Sequence, residues 1–405
     1  MDSLTQIILG AAVGEITLGK KIGNRAMIWG GIGGTIPDLD VLANGFMDSI
    51  DALAFHRGIS HSLFFSVVGG AFFAWLVHNL YRHNWHKSWP YKILVALINV
   101  AIVISLTYGI NVLFKSDDGI RWWLLVMTGA AGLYLIWRLY KYYIRKDLET
   151  VTVTFKEWYL LFFVALATHW LLDCFTAFGT QVFQPFSDYR IAFNNIAVAD
   201  PVYTLPFLIC VIIVATLKRN TPKRKFYNLL GIGISSTYML LTIINKFNVD
   251  NIFDKAIAHR QLEVSRCQCS PTILNNILWS CVAEGPDRFY VGRYSLFDSD
   301  PNFHYLSEIP KQDSVHAMLA SHEDYQTLLW FSKNYLVAFP TDTAIYLSDV
   351  RYGGMTDTIR GPKDLVFNFK VKKEDGRFVF TETREPPEGN FGQLLKDFYT
   401  RIKGY

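Results

Sequence analysis

The chain has 405 residues, 51% of them hydrophobic, 15% aromatic and only 18% charged, with a formal net charge of +4. So little charge, gathered in short blocks, is the profile of a chain that lies partly in a membrane. The small positive excess sits beside apolar runs and forms no stripe, which argues against nucleic acid as a partner.

In chain order, residues 4–18 and 26–36 are apolar and glycine-rich but too short for ordinary spans. They read as half-helices or re-entrant segments, tolerated at membrane depth only where protein covers their backbone. Asp2 and Glu15 flank the first of them with no basic residue ahead, unlike a signal peptide. GTIPDLDVL (34–42) then places Asp38 and Asp40 on a turn after Pro37, as an ordinary turn signal or as a ligand pair. HRGISHS (56–62) brings His56, Arg57 and His61 to the start of an apolar run. Helical positions five apart differ by about 140°, so one continuous helix would not aim both histidines at one point. Gly58 supplies the break that allows it.

Six long apolar runs follow, at about 63–80, 92–114, 121–140, 158–178, 201–217 and 228–245, each near the ~17–25 residues that a spanning helix requires. The fourth ends in THWLLDCFTAFG (168–179), where His169 and Asp173 stand at i and i+4 on one face. An ionisable pair at that depth marks either a functional cavity or a hydrogen bond between helices. The fifth opens with Asp200 before Pro201, an N-cap that is also a candidate ligand.

Basic residues collect in KKIGNR (20–25) and at 81–92, 138–146 and 218–225, which makes those loops cytoplasmic. SDDGI (116–120) and the connection 179–200 fall on the opposite side. Asp38, Asp40, His56, His61, His169, Asp173 and Asp200 then all gather at one outer face. Trp122, Trp123 and Trp158 read as aromatic-belt anchors, and His78, His83 and His86 as interfacial.

Residues 246–405 contain no apolar run of spanning length, only short β-rich stretches such as RFYVGRYSLF and RFVFTET punctuated by Gly, Pro and Asp. The expected fold is an α-helical membrane bundle over 1–245 and a soluble, β-rich α+β domain over 246–405, placed outside the cytoplasm. Of five cysteines, Cys174 and Cys210 fall in spans, and Cys267, Cys269 and Cys281 in the outer domain. A Cys267–Cys269 bridge would be strained, so Cys281 is expected to join one of the two. His304, His316 and His322 are scattered and read as surface or core residues.

Imidazoles and carboxylates in this proportion suit zinc, or else manganese, with ligands enough for one to three ions. Such an ion activates water near neutral pH. One of Asp38, Asp40 and Asp200 would then serve as general base, and Arg57 would bind phosphate or anchor to lipid headgroups. The H-E-x-x-H element of zinc proteases is absent, and one close histidine pair is too few for di-iron chemistry. Gathering at one face rather than the midplane argues against a transporter.

The set MDSLTQIILGAAVGE, PDLD, HRGISHS, HWLLDCFTAFGTQVFQPFS and ADPVYTLPFL, over roughly residues 1–240, resembles the membrane-bound metal-dependent hydrolases of the YdjM-like family. The resemblance implies a multi-pass protein of the bacterial inner membrane, with Asp38, Asp40, His56, His61, His169, Asp173 and Asp200 as metal ligands or their supports. It also exposes a departure, since many relatives carry histidine where this chain has Gln6. The His-x-x-x-Asp element is also similar to the zinc-dependent phospholipase C group, which favours phosphoesters. The expected function is hydrolysis of a lipid ester or phosphoester at the outer face. The alternative is a metal-stabilised scaffold presenting the β domain to an envelope polymer or partner.

Overall fold

The computed structural model describes residues 1–113, 122–145, 148–374, 376–383 and 391–405; the expected outer loop SDDGI lies outside them. The described chain divides into two compact units, residues 72–159 and residues 1–71 with 160–405.

Helix α1 (Ser3–Ile22) starts at Asp2, whose carboxylate accepts from the Thr5 amide at 3.0 Å. It turns at Gly23, where φ is +59°, into α2 (Asn24–Thr35). The two helices pack backbone against backbone. A Cβ on Gly10 would stand 2.3 Å from the Gly30 carbonyl oxygen, and one on Gly14 only 2.0 Å from that of Ala26. The glycines of these segments are what lets them pair so closely. A 3-10 helix, Pro37–Gly45, and the short α3 (Ser49–Phe55) lead to His56.

Among the described residues four helices, not six, are long and apolar enough to cross a membrane: α4 (Leu63–Arg82), α5 (Trp89–Leu113), α6 (Trp122–Leu139) and α9 (Pro222–His259). The other two expected spans are helices of a different kind. α7 (Phe155–Asp173) carries Lys156, Glu157, His169 and Asp173 within 19 residues, and α8 (Pro201–Thr216) has only 16. In the smaller unit Trp158 is fully buried and stacks on Tyr81 with ring centroids 5.5 Å apart, and His86 is buried beside the same tyrosine. Both side chains are covered by protein.

α9 runs 38 residues, well past the expected end of the last apolar run. At 1.5 Å per residue it is about 57 Å long, so it leaves the apolar region and enters the C-terminal domain. There its buried Val249, Phe253 and Ala256 pack on Trp279 and on a disulfide joining Cys269 and Cys281. These two cysteines face each other across β1 (Arg266–Pro271) and β2 (Leu278–Glu284), with Cα atoms 4.0 Å apart. β3 (Arg288–Ser295) and β4 (Ser307–Pro310) complete an antiparallel sheet in sequential order. Two short helices, α10 (Asp313–Leu319) and α11 (Glu323–Phe331), precede a second sequential antiparallel sheet. Its strands are β5 (Leu336–Pro340), β6 (Ile345–Asp349), β7 (Asn368–Glu374) and β8 (Arg377–Thr383), and α12 (Phe391–Ile402) follows.

The second sheet shares a core with the membrane-side segments. Ile50 and Leu53 of α3 are buried with Leu319, Leu328, Phe331, Leu347 and Phe369. The helix that delivers His56 is therefore held in place by the β domain.

The close helical hairpin makes a specific demand. Gly14→Ala, with no room for a Cβ, should lower the unfolding free energy of the detergent-solubilised protein by ~1–3 kcal/mol. Gly233→Ala, on α9 with nothing within 4 Å, should change it by no more than ~0.5 kcal/mol. Equal thermal midpoints for the two variants would contradict the packing.

Candidate metal centre

Three separate segments bring their polar residues to one point. The turn after Pro37 supplies Asp38, the one-turn 3-10 helix Ile59–His61 supplies His61, and the last turns of α7 supply His169 and Asp173. His61, His169 and Asp173 are fully buried, whereas the Asp38 side chain is 14% exposed. One ligand atom from each lies within 4.8 Å of all the others.

The spacing is informative. His61 Nε2 stands 3.4 Å from Asp38 Oδ1 and 3.5 Å from Asp173 Oδ2. His169 Nε2 stands 3.4 Å from each of the same two oxygens. These separations exceed the ~2.7–3.2 Å of a good hydrogen bond. Both Nε2 atoms and Asp173 Oδ2 are buried without a hydrogen-bond partner. A tetrahedron of ~2.0–2.1 Å metal–ligand bonds has edges of about 3.3–3.4 Å. The four residues therefore fit a single divalent cation held by two imidazoles and two carboxylates.

The far sides of the ligands are arranged to match. His169 Nδ1 lies 2.6 Å from the Gly34 carbonyl oxygen, which can only accept, so Nδ1 carries the proton and Nε2 the lone pair. His61 Nδ1 faces Asp40 Oδ2 at 3.3 Å, with Ser60 Oγ 3.0 Å from the same nitrogen. Asp40 is thus placed behind His61, not among the four. Its Oδ1 also lies 2.8 Å from His56 Nδ1, and its Oδ2 accepts from the Arg57 amide at 3.0 Å and from Ser60 Oγ at 3.1 Å. Burial alone would raise the carboxyls of Asp38 and Asp40. The close imidazoles of His169 and His61 in the first case, and of His56 and His61 in the second, outweigh it and hold both well below the usual carboxylate range.

Arg57, 4% exposed with its backbone at a φ of +58°, directs Nε toward Asp173 Oδ2 at 3.5 Å, and its Nη1 donates to Thr176 Oγ1 at 2.8 Å. Gln6 donates from Nε2 to Asp173 Oδ1 at 3.0 Å and to the His169 carbonyl at 3.2 Å. It positions a ligand carboxylate and does not join the four. The Met1 amino group also donates to Asp173 Oδ1. Asp200 stands apart: its Oδ1 caps α8 by accepting from the amides of Val202 and Tyr203 at 3.0 and 3.3 Å, and its Oδ2 accepts from Tyr238 Oη at 2.9 Å. The N-cap role read from Asp200-Pro201 is seen directly.

Sequence reasoning missed Gly34, Ser60, Thr176 and Gln181. Gln181 braces the loop of Arg57, donating from its amide to the Arg57 carbonyl at 3.0 Å and from Nε2 to that of Ala54 at 2.9 Å. Ser60 lies inside HRGISHS and could have been noticed, but a backbone carbonyl such as that of Gly34 leaves no sequence signal. An open pocket of about 440 Å³, lined by Phe55, Gly58, Ile59, Gln181 and Gln184, shares Gly58 and Gln181 with this loop.

Apolar helices of spanning length, together with a buried two-histidine, two-carboxylate cluster, define an integral membrane protein with a candidate metal site. The model of the YdjM inner membrane protein family matches residues 1–249, and the chain belongs to that family. The match takes in every residue of the cluster and ends ahead of the β strands. No curated protein and no solved structure matches the chain.

Elemental analysis of purified full-length protein should find close to one transition-metal ion per chain. His169→Ala with Asp173→Ala should lose it. Asp40→Asn should retain the ligands but weaken metal affinity roughly 10- to 100-fold, as loss of an orienting partner does, and Asp200→Asn should leave the metal content unchanged. An Asp40 variant indistinguishable from wild type in a chelator competition would contradict its placement behind His61.

Proposed function

We propose that the chain is a membrane-embedded, metal-dependent hydrolase that cleaves an ester or phosphoester of a membrane lipid at the outer face of the inner membrane. One observation carries this reading: two imidazoles and two carboxylates converge on one buried point, each held from behind, beside a buried guanidinium. A divalent cation bound there, zinc or manganese, would supply Lewis acidity and lower the pKa of a coordinated water. Asp38 forms the partly exposed edge of the cluster, where substrate would approach. Among the described residues its Oδ2 accepts from Ser3 Oγ alone, at 3.2 Å, which leaves that oxygen able to hydrogen-bond to a coordinated water. Arg57 keeps Asp173 ionised and adds positive charge toward an anionic headgroup.

The basic blocks at 20–25 and 218–225 support placing these residues at the outer face. The Cys269–Cys281 disulfide supports an extracytoplasmic β domain, because disulfides persist in oxidising compartments.

A different observation favours the scaffold reading. Four protein donors can close a tetrahedron, which is the pattern of structural sites, whereas catalytic sites keep a position open. The ion would then pin α7 to the 37–45 turn and the 56–61 loop and so fix the β domain that α3 supports.

Full-length protein in nanodiscs of phosphatidylethanolamine and phosphatidylglycerol separates the two. The hydrolase reading predicts time-dependent lipid cleavage that falls at least ~100-fold on chelation and in His169→Ala. Chelation that lowers the thermal midpoint, with no cleavage of any phospholipid by the metal-loaded protein, would overturn it in favour of the scaffold.

A further inference from the structure

The connection between α7 and α8 buries a second arginine that the metal cluster does not use. Arg190 is 2% exposed. Its Nε and Nη2 donate to the carbonyls of Phe178 and Gly179 at 3.3 and 3.1 Å, and its Nη1 is buried with no partner. Among the described residues no carboxylate lies within ion-pair distance of it. The rings of Phe178, Phe331 and Trp330 stand 4.7, 5.1 and 5.3 Å from its guanidinium carbon.

Two of these rings are shared with other cations. Arg57 lies over Phe178 at 4.9 Å and Arg351 over Phe331 at 5.1 Å. Each of those arginines has an acid, since Arg57 faces Asp173 and Arg351 binds Asp349 at 2.6 Å. Arg190 has none. Lys333, partly buried, places Nζ 6.0 Å from the ring of Tyr189, next in sequence to Arg190, and among the described residues no carboxylate pairs with it either. The Tyr352 hydroxyl, within electrostatic reach of Arg190, is likewise buried without a partner.

Burying a guanidinium without a counter-ion is costly. Aromatic faces offset part of that cost, but they leave Nη1 unbonded. Burial pushes Arg190 down to about 9, with Arg57 and Arg351 adding to the effect, and burial with Arg351 and Arg190 pushes Lys333 down to about 8. Both remain charged at neutral pH, and Asp40 and Asp349 act on them only from beyond ion-pair distance, so the positive charge has no paired counter-ion.

We propose that Arg190, Lys333 and the Tyr352 hydroxyl form a binding site for a phosphate oxyanion, carried by an anionic lipid headgroup or by a soluble phosphate compound. Two cations without a paired acid match the charge of a phosphate better than that of a single carboxylate, and the unbonded Nη1 of Arg190 can donate to one of its oxygens. None of these groups is among the four metal-cluster residues, so the site stands whether or not the hydrolase reading does.

The test uses full-length protein in phosphatidylcholine nanodiscs, with the thermal midpoint followed against inorganic phosphate and, separately, in nanodiscs that also contain phosphatidylglycerol. Metal content is measured in every sample. The proposal predicts that at least one of the two anions raises the wild-type midpoint, and that Arg190→Gln abolishes the shift at unchanged metal content. A shift with phosphate alone assigns a soluble ligand, and one with phosphatidylglycerol alone assigns a headgroup. No shift with either anion overturns the proposal. A shift that survives in Arg190→Gln also overturns it, and one that then disappears on chelation places the anion at the metal cluster. Should Arg190→Gln not fold, Lys333→Met decides: apparent affinity roughly tenfold weaker supports the site, and unchanged affinity overturns it.

Discussion

A carboxylate with no access to water must be neutralised where it stands, and Asp173 is such a group. Its surroundings follow from that requirement. One oxygen receives Gln6 and the Met1 amino group; the other faces His61, His169 and Arg57 at 3.4–3.5 Å and hydrogen-bonds to none of them. A set of donors converging at that spacing, with the far nitrogens already tied to Gly34 and Asp40, could hold an ion between them. The glycine-packed hairpin of α1 and α2 serves the same end, since it brings Gln6 and the Gly34 carbonyl to the end of α7.

The β domain is built into this arrangement and does not hang from it. α9 continues from the apolar region into the core around Trp279, and α3 is buried against the second sheet just before the chain reaches His56. Arg57, Phe178, Arg190, Phe331 and Arg351 form a continuous run of cation and ring contacts from the metal cluster to the Asp349 ion pair. A substitution at Phe178 or Phe331 would therefore be felt at both ends. This continuity gives a physical reason for residues beyond the family match to matter to the site.

Much of the cluster was legible in the sequence because its residues obey local rules. His169 and Asp173 share a helical face by spacing alone, Pro37 marks the turn of Asp38, and Gly58 permits the loop between His56 and His61. What spacing does not give is depth. Asp38 and Asp40 are two residues apart on one turn, and only the tertiary packing decides that one faces the ligands and the other stands behind His61. Asp200 has the right type and the right end of a helix, yet its oxygens are occupied by the amides of α8 and by Tyr238. The fold was legible to a similar degree. Apolar runs located the helices, but the charges of α7 and the shortness of α8 left four helices of spanning character. The polar end of α9 gave no sign that it continues as helix into the core of the β domain.

The central claim is that His61, His169, Asp38 and Asp173 hold one ion. X-ray absorption at the edge of the metal that co-purifies with the full-length protein in lipid tests it most directly. The account predicts a first shell of nitrogen and oxygen donors at ~2.0–2.2 Å containing two imidazoles and no sulfur. A shell with three imidazoles, with thiolate, or with no imidazole at all would contradict it.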